Sequence, residues 1–403
     1  MEDALAETKP REERPPSPGL LRRFAREGRR RILIQLGAVA LVLAAIAYVA
    51  SNLAANLQRL GVHTGFAFLS RPAGFEISQS LLPYDERSTY LDAFFVALTN
   101  TLAATAVSIV LATALGVAIG FCRLSRNRLV AFAATAYVEL FRNVPLLLHL
   151  LFWYFALLQP LPDPKASLGL FGVAFLNNRG LFLPAPIFEG GPLWPLLALV
   201  IGAAATFAIA RFARRQRITA GRPTPFAYLA PLPVILLPTI AWHLSGTQLE
   251  ISLPHLVGFN FRGGLNVIPE FVALAGALSL FEAAFIAEIV RGGILAIPRG
   301  LTEAGEALAL SRLRIKSEIT VPLALRLIVP PLGAQYVVLL KSTSLAAAIA
   351  YPDLMLVFAG TALNQTGQPL EVMAITLATY LGLGLAMSGA TSLVNRRLRL
   401  VTR

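Results

Sequence analysis

Few residues in this 403-residue chain have the types or spacings that chemistry needs. Its four histidines (His63, His149, His243, His255) are scattered, and no HExxH pair exists to hold a metal on one helix face. The lone cysteine, Cys122, excludes an internal disulfide framework and any multi-cysteine metal site. There is no GxxxxGK[ST] loop, and none of the four lysines (Lys9, Lys165, Lys316, Lys341) follows a glycine, so a P-loop cannot cradle nucleotide phosphates here. What remains is a set of polar residues inside apolar surroundings: Asn100 and Thr101, Glu139 with Arg142 and Asn143, Glu282, Glu288 with Arg291, and Lys341, Ser342, Thr343 and Ser344. Glu282 and Lys341 offer what a small zwitterion requires, an acceptor for its ammonium and a donor for its carboxylate. The same residues equally suit pairing between helices without any contact to solute.

The surroundings of these residues define the fold class. The chain is 56% hydrophobic and 14% charged, against roughly 25% charged in ordinary soluble domains. Apolar runs near 32–50, 93–121, 129–158, 193–210, 226–243, 271–290, 319–341 and 370–394 approach or exceed the ~20 residues a membrane-spanning helix needs. The expectation is an all-α integral membrane protein with about eight transmembrane helices, because lipid forces each backbone amide to bond within its own segment. A net charge of +13 does not point to nucleic acid. With the N-terminus in the cytoplasm, 26 Lys and Arg fall on the cytoplasmic side and 6 on the outer side. That asymmetry is the positive-inside pattern, and it places both termini in the cytoplasm. The first apolar run is not read as a signal peptide, since the 31 residues before it carry five Glu and one Asp.

Along the chain, 1–31 reads as a polar, partly disordered tail and 51–92 as an outer segment with some structure at the membrane surface. The second span, free of charge and rich in small residues, suits close helix approach. In the third span Glu139 and Arg142 are three apart and share a helix face, which would let them pair, while Pro145 should kink or break the helix. Glu288 and Arg291 form a second such pair at the cytoplasmic end of the sixth span, stiffening that junction. Residues 159–192 read as an outer loop, and two further spans follow it. No repeat of fixed period and no inverted pairing of halves is evident, which weakens a secondary-transporter reading.

One charged stretch interrupts the apolar pattern, "LTEAGEALALSRLRIKSEITVPLAL" at 301–325. Thr302 can cap a helix there, with Glu303 and Glu306 in its first turn. Leu301, Ala304, Ala307 and Leu308 form a narrow small-to-apolar stripe that suits a groove on another protein. The alternative is an interfacial helix lying on lipid headgroups.

"EAGEALALSRLRIKSEITVP" resembles the EAA loop of permease subunits in ATP-binding-cassette importers. That pattern runs Glu-Ala-Ala, three residues, Gly, nine residues, Ile, one residue, Leu-Pro. Glu303, Ala304, Ile319 and Pro322 match it; Gly305, Ala309 and Val321 depart from it. "YVELFRNVPLLLHLLFWYF", "EAAFIAEIVRGGILAIPRG", "LLKSTSLAAAIAYPDL" and "RLSRNRLVA" are similar to the polar amino acid permease branch, including those serving general L-amino acids. His149 stands where that branch often has Gln.

The resemblance implies a type I importer permease core over 93–395, with an extra loop and helical hairpin at about 159–268. It also implies a cytoplasmic coupling helix at about 299–318 whose Glu303, Ala304, Gly305, Glu306, Ala309, Leu310 and Ser311 face an ATPase. Residues 32–92 add a first span and a periplasmic segment, and 396–403 a cytoplasmic tail. The implied partners are ABC ATPase subunits carrying the ATP and Mg, a second permease that is similar or identical, a periplasmic solute-binding protein, an amino acid and the lipid of a bacterial inner membrane. The chain itself would carry no cofactor and would not be an enzyme. The rival class is a secondary transporter or channel for small polar solutes. A membrane enzyme lacks any triad-like or metal-ligand cluster.

Overall fold

The computed structural model describes residues 18–59, 65–189, 193–220, 228–246 and 248–398. The chain divides into two units, 1–65 and 66–403. In the first unit α1 (Pro18–Arg59) runs for 42 residues. Its Leu33–Val49 stretch is apolar, and its large side chains are exposed on every face. Of the tail read as polar and partly disordered, 18–31 is helix, and 1–17 lies outside the described residues.

The second unit is built on α2 (Tyr90–Arg123), whose start is fixed by a capping box between Thr89 and Asp92. Residues 66–89 fold over this start as expected for a structured surface segment. Phe68 is buried there against Tyr90 and Phe358, with ring centroids 5.9 and 6.3 Å apart. Next come α3 (Arg128–Asn143) and α4 (Leu146–Leu158), bent by 104° at Pro145. The bend has the predicted cause: residue 144 is extended, as the residue before a proline must be, and Pro145 starts the new helix.

α7 (Pro269–Leu295) is the central element, packed against α2. The glycines of α2 make that approach possible. A Cβ at Gly116 would lie 2.6 Å from Ile286 Cβ, and one at Gly120 would lie 2.9 Å from Val290 Cβ. α8 (Arg299–Ala307) follows, then a continuous helix α9 (Arg312–Ile349) and, after helical turns at Met355–Ala362, α10 (Pro369–Leu398).

Between α4 and α7 stand α5 (Leu193–Ala220) and α6 (Leu232–Ser245), packed on one another as the extra hairpin. The segment before the hairpin, read from the sequence as an outer loop, holds strands, and so does the segment after it. β1 (Leu168–Leu170), β2 (Ala174–Asn177), β3 (Gly180–Leu183) and β8 (Leu265–Val267) form an antiparallel sheet in that order. β4 (Ala185–Glu189) pairs with β5 (Gln248–Ser252), and β6 (His255–Val257) with β7 (Asn260–Arg262). The segments on either side of the hairpin therefore tie to each other.

The fold remains mostly helical. Among the described residues five helices are long and apolar enough to cross a membrane: α2, the Leu193–Ala213 part of α5, α7, α9 and α10. The bent α3–α4 pair makes a sixth. The other two expected spans correspond to shorter apolar helices, Leu33–Val49 and Leu232–Ser245, so the count of eight is reached only by including them.

Candidate functional site

The charged insert folds differently at its start than expected. Pro298 (φ −59°, ψ 130°) is the N-cap, so α8 begins at Arg299 rather than beyond Thr302, and Thr302 caps nothing. Glu303 and Glu306 consequently lie past the first turn. The helix also stops at Ala307 instead of running to 318, because Ala309 turns left-handed (φ 53°). The Leu308 N–H donates to Ala304 O (3.1 Å), Ala309 N–H to Glu306 O (2.9 Å) and Leu310 N–H to Gly305 O (3.1 Å). These bonds satisfy the carbonyls that a helix end leaves open. Ser311 then caps α9, its hydroxyl accepting from the Arg314 amide.

Gly305, the one buried residue of α8, explains how this helix is held. A Cβ there would lie 3.0 Å from Ile315 Cγ1 and 3.2 Å from Ile319 Cδ1, both on the first turns of α9. Its departure from Ala thus brings two backbones together rather than merely loosening a turn. Those first turns of α9, Ile315–Thr320, are wound as π-helix, a form often found where a helix serves a function. Leu301, Glu303, Ala304, Glu306, Ala307 and Leu308 are exposed around it, Leu308 to 75%, although Leu301 also lines a small cavity with Leu323 and Leu327 of α9. Of the predicted apolar stripe, Ala304, Ala307 and Leu308 are therefore exposed, while Gly305 rests on the next membrane element.

The other end of α8 joins α7 at a charge cluster. Glu288 and Arg291 pair as the spacing implied (Arg291 Nη2 to Glu288 Oε1, 2.5 Å), and Arg123 of α2 donates to the second carboxylate oxygen. The cluster bolts α2 to α7 just before the insert. The other expected pair is corrected. Glu139 accepts from Asn143 Nδ2 (3.3 Å), while Arg142 lies over the Phe285 ring at 5.2 Å. Among the described residues no ion pair joins Glu139 to Arg142; the arginine reaches an aromatic face on α7 instead.

The deep polar residues separate into two groups. Asn100 is fully buried, and its amide donates to Gln79 O (2.7 Å) and Pro352 O (2.9 Å). Its backbone carbonyl accepts from the Tyr351 hydroxyl (3.0 Å), its side-chain Oδ1 is left without a partner, and the neighbouring Thr101 hydroxyl accepts from the Leu354 amide (3.0 Å). Asn100 thus staples the 351–354 turn into the core. Asp353 is buried beside it, accepting from the Leu356 amide (2.8 Å) and the Tyr380 hydroxyl (3.4 Å). Desolvation pushes its carboxyl up to about 7.

Ser342, Thr343 and Ser344 bond back to carbonyls of their own helix, and Lys341 is exposed, so these four do not converge with Glu282. Glu282 is fully buried, accepts from Gln335 Nε2 (2.5 Å) and keeps its second oxygen without a partner. His149 stacks on Phe141 at 4.8 Å. No group of three or more potential metal ligands occurs among the described residues. Sequence reasoning missed Gln335, Asp353 and Arg123, whose partners lie on helices remote in sequence.

A short helix seated on the head of one span and following directly from another is the arrangement expected of an importer permease. Over residues 112–400 the chain matches the model of the binding-protein-dependent transport system inner membrane component family. It belongs to that family. A putative amino-acid ABC transporter permease protein, YhdX, of Escherichia coli (strain K12) is 43% identical over 94% of this chain and 97% of its own length. The general L-amino acid transport system permease protein AapQ of Rhizobium johnstonii is 43% identical over 93% of each. A glutamate/glutamine/aspartate/asparagine transport system permease protein, BztB, of Rhodobacter capsulatus is 38% identical over 93% of this chain and 95% of its own. Like its family, the chain is a transport component of the inner membrane and not an enzyme.

Proposed function

We propose that this chain is the permease subunit of an ATP-binding-cassette importer that carries L-amino acids across a bacterial inner membrane. The observation that supports the reading is α8: Ala304, Ala307 and Leu308 of its stripe are exposed, while Gly305 packs on Ile315 and Ile319. Motion imposed on this stripe by a partner passes into α9 directly and into α7 through the Ala296–Pro298 connection. Glu303, Ala304, Glu306, Ala309, Leu310 and Ser311 face the ATPase in this reading, with Gly305 as the pivot.

The ATP and Mg belong to that separate ATPase. A second permease, similar or identical, and a periplasmic solute-binding protein complete the assembly, with both termini of this chain cytoplasmic. The amino acid substrate is supported by three relatives named for amino acid transport. Within the span region Glu282, with one carboxylate oxygen unpartnered, is a candidate to meet a substrate ammonium, while Ser342 to Ser344 are engaged with backbone.

The test is mild-detergent purification of the tagged chain, identification of co-purifying subunits, and reconstitution with labelled amino acids. The reading expects a P-loop ATPase, and uptake that needs ATP and is competed by other amino acids. Uptake by the chain alone, driven by an ion gradient without ATP, would instead establish a secondary transporter.

A further inference from the structure

A groove of about 580 Å³ runs along α2, α7 and α9, and neither Glu282, Gln335 nor any residue of α8 lines it. Val117, Phe121, Ile294, Leu325, Val329 and Leu332 give it hydrocarbon walls. On α9 it extends from Lys316 to Leu332, a rise of about 24 Å in helix. One leaflet of hydrocarbon is about 15 Å deep, so the groove accommodates a chain along the membrane normal.

Its polar side chains are few. The Thr113 hydroxyl is engaged with Ile109 O (2.6 Å) and the Tyr336 hydroxyl (2.8 Å), and that of Thr320 with Ile315 O (3.4 Å). Lys316, at one end, is exposed. No ion-pair partner for it occurs among the described residues. Arg312 and Arg314 lie just before it, exposed, with Glu318 following. The groove therefore asks for a long hydrocarbon chain carrying a single anionic head. An amino acid fails on both counts: its ammonium finds no acceptor, and its small body leaves the apolar walls uncovered.

We infer that this groove binds an anionic phospholipid, its acyl chain between α2 and α9 and its phosphate at Lys316. With the orientation proposed above, that phosphate is in the cytoplasmic leaflet, where cationic side chains at span ends meet anionic headgroups. The bound lipid braces the first turns of α9, the same turns on which Gly305 rests.

The experiment is to place a photo-crosslinking residue at Leu325 in the full chain, purified with its partners into nanodiscs of mixed phosphatidylglycerol and phosphatidylcholine. Irradiation followed by intact-mass measurement should give an adduct of one phospholipid, with phosphatidylglycerol favoured at least five-fold over its share. Lys316→Gln should abolish that preference while keeping the adduct, and Val321→Trp should reduce the adduct itself. An adduct to a second permease copy, no adduct, or a preference unchanged in Lys316→Gln would overturn the inference. Both leaflets of the nanodisc have one composition, so the result does not depend on orientation; membrane-side labelling of an Arg126→Cys chain tests that separately.

Discussion

Ala309 occupies a backbone region (φ 53°) that L-residues enter at a cost of about 1–2 kcal/mol. The EAA pattern has Gly at this position, and the turn that ends α8 shows why: only Gly enters it freely. Ala309→Gly should therefore stabilise the chain by about 1 kcal/mol. A thermal-unfolding assay that reads exposure of the lone Cys122 thiol should show the midpoint rising, and an unchanged or lower midpoint would remove the strain argument.

Asp353 gives a pH-dependent prediction. Its carboxyl is raised from 3.8 to about 7, first by desolvation, against the opposing hydrogen bonds from the Leu356 amide and Tyr380 hydroxyl. Between those values the unfolded chain ionises while the folded chain stays protonated, so stability falls as pH rises from about 4 through 7. Asp353→Asn should flatten that fall in midpoints taken at pH 5 and pH 8; equal slopes in both proteins would contradict it. Residues of this kind were only partly legible. Glu288 and Arg291 announce themselves by three-residue spacing, whereas Gln335 meets Glu282 from 53 positions away and leaves no local signal.

At the scale of elements, a helix is expected between two spans over about 299–318, and the structure has a shorter one at Arg299–Ala307. Pro298 and Ala309 set its ends, and the second of these acts through a conformation that no propensity for Ala would suggest. The break at Pro145 was legible because proline dictates its own geometry and that of residue 144. The strands at 168–189 and 248–267 were not. They are three to five residues long, and β3 finds β8 some 80 residues later, beyond what alternation over so few positions can reveal.

The charge cluster linking α2 to α7 is the clearest target at this scale. The Arg123 side chain is 10% exposed and that of Glu288 32%. Glu288→Gln leaves two guanidinium groups without their counter-charge, at a cost of about 1–3 kcal/mol. The same thiol-exposure assay should record a lower midpoint, and Arg291→Gln, which leaves the Arg123–Glu288 contact in place, a smaller drop. Equal drops would mean that Arg123 contributes little.

For the whole molecule, hydrophobic run length and the 26-to-6 split of Lys and Arg were enough to propose a multi-span chain with cytoplasmic termini. Glycine positions then decide how tightly it closes. Gly116 and Gly120 seat α2 on α7, and Gly305 seats the short helix on α9. This contact chain, from α8 into two spans, is what makes the molecule suited to being driven from outside itself.

In the proposed function α8 receives work from a separate ATPase. The most direct measurement reconstitutes the assembled transporter with wild-type chain or with Glu303→Lys, and records ATP hydrolysis and amino acid uptake in the same vesicles. Glu303 is exposed, so the charge reversal should spare insertion and assembly of the membrane domain. The account predicts uptake reduced at least ten-fold per ATP hydrolysed. Normal uptake per ATP, at matched amounts of protein in the membrane, would contradict it.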